Sequence, residues 1–372
     1  MRFSTTTSER LDPAGTLRTR RRASPSVRAA PARVRQRPTL MAADVMGAAR
    51  TLALRMRSGS HFRLQIGQHI EPGGIRGYYI DLTEKARTPE WPPEGYSFSG
   101  THRYISLGQW GLAAMDRYMA GEGERWLTAA VAAGEYLVAE QVRSGPRRGA
   151  WEEPEGIRHT YSLRGPWISG MAQGLCASLL VRLYLETNRD EFAAAAVLAP
   201  ATYDLSTEEG GFRARLPDGH GFPEEYPTRP ASYVLNGAIY ALWGLYDVHV
   251  GLGDSDAGRT FDATSDALAD NLHRWDLGYW SRYDLYQHPL MINVASTSYH
   301  LLHINQLRVV ARMTERREFG AMAQRFESYA DSRVRRSRAL AHKIAFRVVV
   351  PRNRVLVERL PWLQDGRPLD GP

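Results

Sequence analysis

Apolar residues recur at helical spacing in several separate stretches of the chain. Leu235, Ile239, Leu242 and Tyr246 follow one another at intervals of 4, 3 and 4 residues, which places them on one face of an α-helix. Similar stretches fill most of the interval 105–332. The pattern therefore predicts a mostly α-helical domain.

Three of these segments carry a glycine at a fixed spacing. QWGLAAMDRYM, AQGLCASLLVRLYL and NGAIYALWGLYD are expected to open on Gly111, Gly174 and Gly237, with 63 residues in each interval. A second helical segment follows each, and a fourth pair comes after the third. The second segments share an early aromatic residue: Trp126, Phe192, Phe261 and Phe319. This repeat predicts an α/α toroid, an incomplete barrel of about four hairpins, with an open solenoid as the competing shape.

Long connections join one hairpin to the next, at 144–165, 203–232 and 276–297. Because each runs from the end of one hairpin to the start of another, all of them are expected at the same end of the array. They contain HTYSLRGPW, GFPEEYPTRP and GYWSRYDLYQHP, and STSYHLLHINQL leads into the last inner helix. Loops on a rigid frame are where binding and catalysis are usually found, so we expect the functional site there.

The loop GFPEEYPTRP places three prolines around Glu224, Glu225 and Tyr226. Proline removes a backbone donor and moves the preceding residue out of the helical region, so this loop is predicted to be stiff and non-helical. One interpretation is a functional site. The other is a pair of solvated acids with Tyr226 covering the core.

Arg164 lies two residues before Pro166, which we expect in the first turn of a helix whose backbone donors face the cleft. This arrangement favours Arg164 as a ligand for an anionic group. An arginine at the surface that bonds a loop carbonyl is the equal alternative.

The formal net charge of +8 comes from the first 40 residues, which contain ten Arg against Glu9 and Asp12. Ten minus two is eight, so 41–372 is neutral overall and no nucleic-acid partner is predicted. The segment 1–40 is rich in Ser, Thr, Pro and Arg, and it is expected to be a disordered basic tail. Met41 is a second candidate start.

The remaining domain boundaries follow from composition. An N-terminal extension is expected at 41–104, where GYYIDLTEK predicts one or two short strands, followed by the barrel at 105–332 and a basic C-terminal extension at 333–372. Within the extension, 333–357 alternates apolar residues with Arg. Contact with an acidic membrane surface or glycan is one interpretation, and a helix and strand packed on the domain with solvated arginines is the other.

Several classes of protein are disfavoured by the sequence. No window holds 18 consecutive apolar residues, and 1–40 lacks the apolar core of a secretory signal, so we expect a cytoplasmic protein. Cys176 is the single cysteine, which excludes an intrachain disulfide. His300 and His303 lack a carboxylate to complete a ligand set, and no phosphate-binding or dinucleotide motif is present, so neither metal nor cofactor is predicted.

The segments SGMAQGLCASLLVRLYLET, EEYPTRPASYVLNGAIYALWGLYD, YDLYQHP and YHLLHINQL, in this order, resemble the C-terminal domain of the D-glucuronyl C5-epimerases. The resemblance implies an α/α barrel that inverts C5 of D-glucuronate to L-iduronate within heparosan-type chains. It also implies that Glu225, Tyr226, Tyr283 and Tyr299 correspond to family residues that act in catalysis or shape the active site.

The chain departs from the family pattern in two places. The family sequence YDLRH reads YDLYQH here, so Tyr286 replaces an arginine that would meet the substrate. The animal enzymes also carry an N-terminal β-domain, for which 41–104 is too short. These departures concern polymer specificity more than the type of reaction.

Inversion at C5 requires a base near C5, donors that neutralise the uronate carboxylate, and a proton source on the opposite face. Glu225 and Tyr299 are predicted for the two faces, assisted by Tyr226 and Tyr283. Carboxylate or hydroxyl partners are predicted at Arg164, His303 and Asn305, although His303 and Asn305 equally fit satisfied residues of an inner helix, the interpretation slightly favoured for Asn305. A uronate lyase and a non-catalytic glycan-binding module stay open as alternatives.

Overall fold

The structure, a computed structural model, describes residues 65–68, 75–92, 103–158, 160–288 and 290–350. The predicted tail at 1–40 and the predicted strand after residue 350 lie outside these ranges. The domain boundaries therefore stay predictions.

The described part of the chain is mostly α-helical, as the sequence predicts. Its α-helices are α1 Arg103–Met119, α2 Glu124–Glu140, α3 Gly170–Thr187, α4 Asp190–Ala196, α5 Leu235–Leu252, α6 Ser255–Asn271, α7 Thr297–Met313, α8 Arg317–Asp331 and α9 Arg333–Val349. Short 3-10 helices lie at Thr83–Lys85, Pro200–Asp204, Thr207–Glu209 and Leu272–Trp275.

The first eight helices form four antiparallel hairpins, α1–α2, α3–α4, α5–α6 and α7–α8. The inner helices α1, α3, α5 and α7 pack side by side in this order, and the early aromatic residues of the outer helices are buried against them. The fold is the predicted incomplete α/α toroid. α3 and α5 are buried on nearly all sides because each lies between two other inner helices.

The repeated glycines do not begin the helices, which corrects the prediction. Gly111 lies in the middle of α1, and Gly174 and Gly237 lie inside α3 and α5. A Cβ on Gly174 would lie 2.2 Å from the carbonyl oxygen of Tyr240 on α5. The glycine repeat therefore marks close approach between elements, which only a missing side chain permits.

The long connections contain short strands, where the sequence predicted irregular loops. β1 Glu152–Glu153 pairs with β4 Trp167–Ile168, β2 Ile157–Arg158 with β3 Ser162–Leu163, and β5 Arg213–Arg215 with β6 Gly221–Pro223, all antiparallel.

Pro166 precedes β4 and is not in the first turn of a helix, so that prediction is wrong. α3 begins at Gly170 and is capped by Ser169, whose side chain accepts from the N–H of Ala172. The turn between β3 and β4 separates Arg164 from the helix start.

The segment 75–92 packs at the opposite end of the inner helices from the long connections. Residue Ile80 bridges to Ile66 in an antiparallel pair, and Tyr79 donates to the carboxylate of Asp247. Arg182 donates from Nη1 to the same carboxylate at 2.6 Å. This buried cluster fixes the N-terminal segment to the C-terminal halves of α3 and α5.

None of the helices in the described ranges combines the length and the apolar character that crossing a bilayer requires. The basic segment Arg333–Val349 forms α9, which packs on α7 and α8.

Candidate active site

The long connections meet at the N-terminal ends of the inner helices, as expected. The N–H of Gly170, at the start of α3, donates to the carbonyl oxygen of Glu224 at 2.8 Å. The N–H of Leu285 donates to the carbonyl oxygen of Ser232 at 3.0 Å. These bonds hold the three loops next to one another.

Glu224 is fully buried and stabilises its own loop, so the interpretation of two solvated acids is wrong. Its carboxyl group shares a hydrogen bond with the hydroxyl of Ser232, and its two oxygens accept from the N–H of Tyr233 at 2.9 and 3.0 Å. Tyr233 has a φ of 49°, a left-handed conformation that costs free energy for a bulky residue. Burial raises the pKa of the Glu224 carboxyl to about 8.

Glu225 points in a different direction and lies against the first turn of α5. Its side chain is 4% exposed, and its Oε2 accepts from Nδ2 of Asn236 at 3.4 Å. A Cβ on Gly237 would lie 2.5 Å from the same oxygen, so the third glycine of the repeat makes room for this carboxylate. The positive end of the α5 dipole favours a negative charge here.

Tyr226 is buried between aromatic rings of the first long connection. Its ring centroid lies 4.9 Å from that of Tyr161 and 5.9 Å from that of Trp167. Its carbonyl oxygen accepts from the hydroxyl of Ser232 at 2.9 Å. Both the ring and the backbone of Tyr226 are therefore fixed next to Glu225.

Tyr283 and Tyr299 contact each other edge to face, with ring centroids 4.9 Å apart. Tyr299 lies in the first turn of α7, where its N–H donates to the capping Ser296 at 3.3 Å. Burial raises the pKa of the Tyr283 phenol well above its usual range, and the neighbouring Glu225, Tyr299 and Tyr226 raise it further. Tyr283 therefore keeps its proton in this environment.

The structure thus brings together the four residues that the sequence nominates for catalysis. Glu225, Tyr226, Tyr283 and Tyr299 come from two loops and a helix start, and the first two and Tyr299 all act electrostatically on Tyr283. Their individual roles stay predictions.

His303 lies one helical turn below Tyr299 on the same face of α7, but its ring is fully buried. Nε2 of His300 donates to the carbonyl oxygen of Phe326, so Nδ1 of His300 accepts from the hydroxyl of Ser281 at 2.7 Å. Nδ1 of His303 then donates to that hydroxyl oxygen at 3.0 Å. Burial lowers the pKa of both imidazoles, to about 4 for His300. His303 is a neutral interior group in this arrangement, and its side chain is not exposed at the surface.

Arg164 is not brought into the cluster, and Asn305 lies on a different face of α7 from Tyr299. Arg164 is exposed on the turn before β4. Asn305 lies six residues after Tyr299 on α7, which turns it by about 120° away from the Tyr299 face at 100° per residue.

The sequence missed a buried network behind the four residues. Asp284 accepts through Oδ2 from the hydroxyl of Tyr161 and from Nδ2 of Asn293, both at 2.5 Å. Lys343, on α9, donates to Oδ1 of Asn293 at 2.6 Å. Oδ1 of Asp284 is buried and has no hydrogen-bond partner among the described residues.

Two signals in the sequence point to this network. Asp284 is adjacent to Tyr283 in YDLYQHP, and Lys343 is one of two lysines among the 48 Lys and Arg residues. No comparable signal exists for Asn293, because an asparagine in a loop is common. Within the described ranges, no group of three or more His, Cys, Asp or Glu side chains has the arrangement of a metal site.

The cluster has the components of a proton-transfer site. Glu225 offers a carboxylate, and it interacts electrostatically with the buried Tyr283 phenol, which holds its proton. A carboxylate can remove a proton from a substrate, and a neighbouring phenol can donate one. In a site that excludes water, the charged intermediate between the two steps is not exposed to solvent.

Comparisons with known proteins agree with the resemblance seen in the sequence. The family described as D-glucuronyl C5-epimerase C-terminus matches residues 145–328, which contain Glu225, Tyr226, Tyr283 and Tyr299. A D-glucuronyl C5-epimerase of Caenorhabditis elegans is 30% identical over 249 residues. These residues are 62% of this chain and 40% of that relative, so the chain spans about two fifths of its length.

Among solved structures, the chain is similar to an unsaturated glucuronyl hydrolase from Bacillus sp. GL1, described as responsible for the degradation of glycosaminoglycan. The similarity covers 79% of this chain and 83% of that chain, with 14% sequence identity and a TM-score of 0.41.

Proposed function

Because the chain belongs, through residues 145–328, to the D-glucuronyl C5-epimerase C-terminal family, we propose that it is an isomerase that epimerises C5 of uronate residues within a polysaccharide. The substrate class is a polymer that contains D-glucuronate, and the product residue is L-iduronate. Heparosan-type chains are the first polymer to test.

The chemistry asks for groups of the kind found in the cluster. The hydrogen on C5 is weakly acidic because it lies next to a carboxylate whose charge opposes a second one. A base must take this proton, and an acid must deliver a proton to the opposite face of the ring. We assign Glu225 and Tyr299 to the two faces. Tyr226 and Tyr283 orient the sugar and supply hydrogen bonds as charge develops.

The observation that carries the proposal is the convergence on Tyr283. Its phenol lies within electrostatic range of Glu225 and Tyr226, which are adjacent in one loop, and of Tyr299 at the start of α7. Aromatic packing accounts for the three rings but not for the carboxyl group of Glu225 buried beside them, since burying a polar group costs free energy. A reaction that moves protons gives each of them a use.

The test is incorporation of deuterium from heavy water into a glucuronate polymer. We expect deuterium at C5 of an intact chain, with both glucuronate and iduronate present at equilibrium. Cleavage of the chain with an unsaturated end would instead assign the protein to the uronate lyases, which remove the same proton. Binding of the polymer without exchange at any pH would show a glycan-binding module.

A further inference from the structure

The C-terminal helix α9 concentrates positive charge. It contains no Asp or Glu, and its six cations are Arg333, Arg335, Arg336, Arg338, Lys343 and Arg347. Lys343 is buried, whereas Arg333, Arg336 and Arg338 are exposed. Because residues 41–372 are neutral overall, this charge is a local feature of α9 and not a property of the whole domain.

Neighbouring acids do not neutralise the exposed arginines of α9. Arg325, on the adjacent helix α8, is exposed and forms an ion pair with Asp276 at 3.3 Å. In contrast, no carboxylate among the described residues forms an ion pair with Arg333, Arg336 or Arg338. The charge of these three side chains is therefore directed at the solvent.

Two arginines of α9 are held in place by aromatic rings. The guanidinium carbon of Arg338 lies 3.8 Å from the ring centroid of Tyr279, and that of Arg335 lies 4.7 Å from the ring centroid of Tyr329. Stacking on a ring fixes the position of a guanidinium, but an uncharged phenol does not cancel its charge. Arg338 therefore presents a positive charge at a defined place on the surface.

α9 lies along the rim of the candidate active site. Tyr279 belongs to the third long connection, and so does Asn293, which accepts from Nζ of Lys343 at 2.6 Å. Near the other end of α9, Nη1 of Arg347 donates at 2.9 Å to Oγ1 of Thr160 in the first long connection. The helix thus runs across the end of the barrel where the long connections meet, from the third connection to the first.

The side of α9 that faces the solvent is basic, and its apolar residues are small. Ala339, Lys343 and Phe346 are buried at spacings of 4 and 3 residues, which defines the inner side. The exposed residues are Arg333, Val334, Arg336, Ser337, Arg338, Ala341 and Val348. A helix that lies on a lipid surface usually inserts large apolar or aromatic side chains. Valine and alanine beside arginine favour an anionic chain in water over a lipid surface.

We propose that α9 binds the polysaccharide substrate beyond the reacting uronate, with Arg333, Arg336 and Arg338 attracting the carboxylates of further uronate residues. This inference rests on the proposed function, because a polymer that enters the site must pass its rim and carries a charge complementary to that of the helix. α9 begins after residue 328, where the match to the family ends, so membership of the family does not imply this role.

The first measurement compares C5 exchange on a long heparosan chain with exchange on a trisaccharide centred on glucuronate. The α9 triple variant combines Arg333→Gln, Arg336→Gln and Arg338→Gln. At low ionic strength its kcat/KM for the long chain should fall about tenfold with kcat unchanged, because attraction before the reaction is lost. For the trisaccharide, kcat/KM should stay within about twofold of the wild type, since this ligand fills only the reacting site. Added salt should reduce the difference on the long chain, because it screens exposed charges.

A distant triple variant is the matched control. It combines Arg76→Gln, Arg87→Gln and Arg125→Gln, which removes the same net charge from exposed arginines near the opposite end of the inner helices. Its kcat/KM for the long chain should stay within about twofold of the wild type. If the distant variant loses as much as the α9 triple variant, net charge alone matters and the proposal is refuted. An equal loss on the long chain and the trisaccharide in the α9 triple variant would refute it as well.

Two further variants separate charge from structure. Arg333→Lys, Arg336→Lys and Arg338→Lys together keep the charge, so they should retain most of the wild-type kcat/KM for the long chain. Circular dichroism and thermal midpoints identify any variant that fails to fold. If the α9 triple variant does not fold, Arg333→Gln with Arg336→Gln leaves the stack on Tyr279 intact and makes the same test.

The second measurement is direct binding of the long chain and of vesicles that contain phosphatidylglycerol. The wild type should bind the long chain about tenfold more tightly than the α9 triple variant does at low ionic strength. If the wild type binds the vesicles, the α9 triple variant does not, and both bind the long chain equally, the partner of α9 is a lipid surface and the proposal is refuted.

The two measurements also separate this inference from the proposed function. A wild type that binds the long chain but shows no C5 exchange would refute the proposed epimerisation, and the binding of the α9 triple variant would still decide the role of α9. A wild type that exchanges normally, with no loss on the long chain in the α9 triple variant, would refute only the inference.

Discussion

The two ends of the inner helices bury charge in opposite ways. At their C-terminal halves, the guanidinium of Arg182 and the carboxylate of Asp247 form a buried ion pair, and Tyr79 donates to the same carboxylate. Arg182 also donates to the carbonyl oxygens of Gly77 and Ser178. The charges neutralise each other, and the pKa of Arg182 is raised chiefly by Asp247 against the opposing effect of burial, so the arginine stays charged.

At the N-terminal ends, the buried acid Glu224 has neutral partners instead, the hydroxyl of Ser232 and the N–H of Tyr233. Neutral donors compensate a carboxylate less than a cation does, and burial accordingly raises the pKa of Glu224 to about 8. Arg182 and Asp247 therefore keep their charges and fix the fold at one end, whereas at the other end the Glu224 carboxyl can change its protonation near neutral pH. The predictions below test this contrast.

The largest effect is expected at the N-terminal ends of the inner helices, where we propose proton transfer. Glu225→Gln and Tyr299→Phe should each reduce C5 exchange by about 10²–10⁴-fold, the range for loss of one general acid or base. The fold and polymer binding should be kept, because each change is nearly isosteric. Exchange rates in heavy water and binding to the polymer measure the two properties separately.

Glu224→Gln is the matched control for that experiment, because its side chain turns toward Ser232 and Tyr233 rather than toward Asn236. We expect a much smaller loss of exchange. If Glu224→Gln abolishes C5 exchange while Glu225→Gln leaves it normal, the catalytic carboxylate is Glu224 and not Glu225. If Tyr299→Phe leaves C5 exchange unchanged, the mechanism with Tyr299 on one face of the ring is refuted.

The next effect concerns the opposite end and is one of stability. Arg182→Met leaves Asp247 buried without its cation, which should lower the free energy of unfolding by about 3–5 kcal/mol. The rate of C5 exchange per folded molecule should change little, since the Arg182–Asp247 pair lies away from the long connections. Denaturant unfolding and exchange at a temperature where the variant is folded check both points.

The double variant Arg182→Met with Asp247→Leu controls for the ion pair itself. It should recover part of the lost stability, because no unpaired charge remains buried. Loss of C5 exchange in folded Arg182→Met would contradict the expectation that the ion pair at one end of the inner helices does not affect the site at the other end.

The smallest effect is a change in how stability depends on pH. The Glu224 carboxyl has a pKa of about 8 in the fold, against about 4.3 in an unfolded chain. Between these values the folded state holds a proton that the unfolded state releases, so stability from this group is present at low pH and is lost as pH rises through 8. Glu224→Gln should therefore lose less stability between pH 5 and pH 8 than the wild type.

Urea unfolding of both proteins at pH 5 and pH 8 measures the difference. Two other buried acids also make the fold less stable as pH rises: the pKa is raised to about 8 for Glu153 and to about 7 for Asp116. Glu224→Gln should therefore remove only a part of the pH dependence of stability. An unchanged pH dependence would show that Glu224 ionises normally in the fold.

The sequence predicted the helices of the barrel well because their signal is local. The spacing of Leu235, Ile239 and Leu242 depends only on the 3.6-residue period, and it gave α5 without reference to any partner. The repeated glycines led to wrong helix starts. Gly111 and Gly174 mark close contacts between helices, and the sequence of one segment does not show which other helix it contacts.

The candidate site was predicted in part. Glu225, Tyr226, Tyr283 and Tyr299 were nominated from the resemblance, and the order of the hairpins placed their loops at one end. Arg164 was nominated on the expectation of a helix after Pro166. A strand pair forms there instead, because Trp167 and Ile168 pair with Glu152 and Glu153 from the start of the same connection.

By itself, the sequence determined the number and order of the hairpins, the common end of the long loops and the types of residue gathered there, because these follow from short-range periodicity and from chain connectivity. Only the tertiary structure decided which polar groups are buried and with whom. Glu224 is turned inward to hold Tyr233, and Lys343 reaches Asn293 from 50 residues away. The burial of a polar side chain depends on partners that are distant along the chain, and local sequence patterns do not identify those partners.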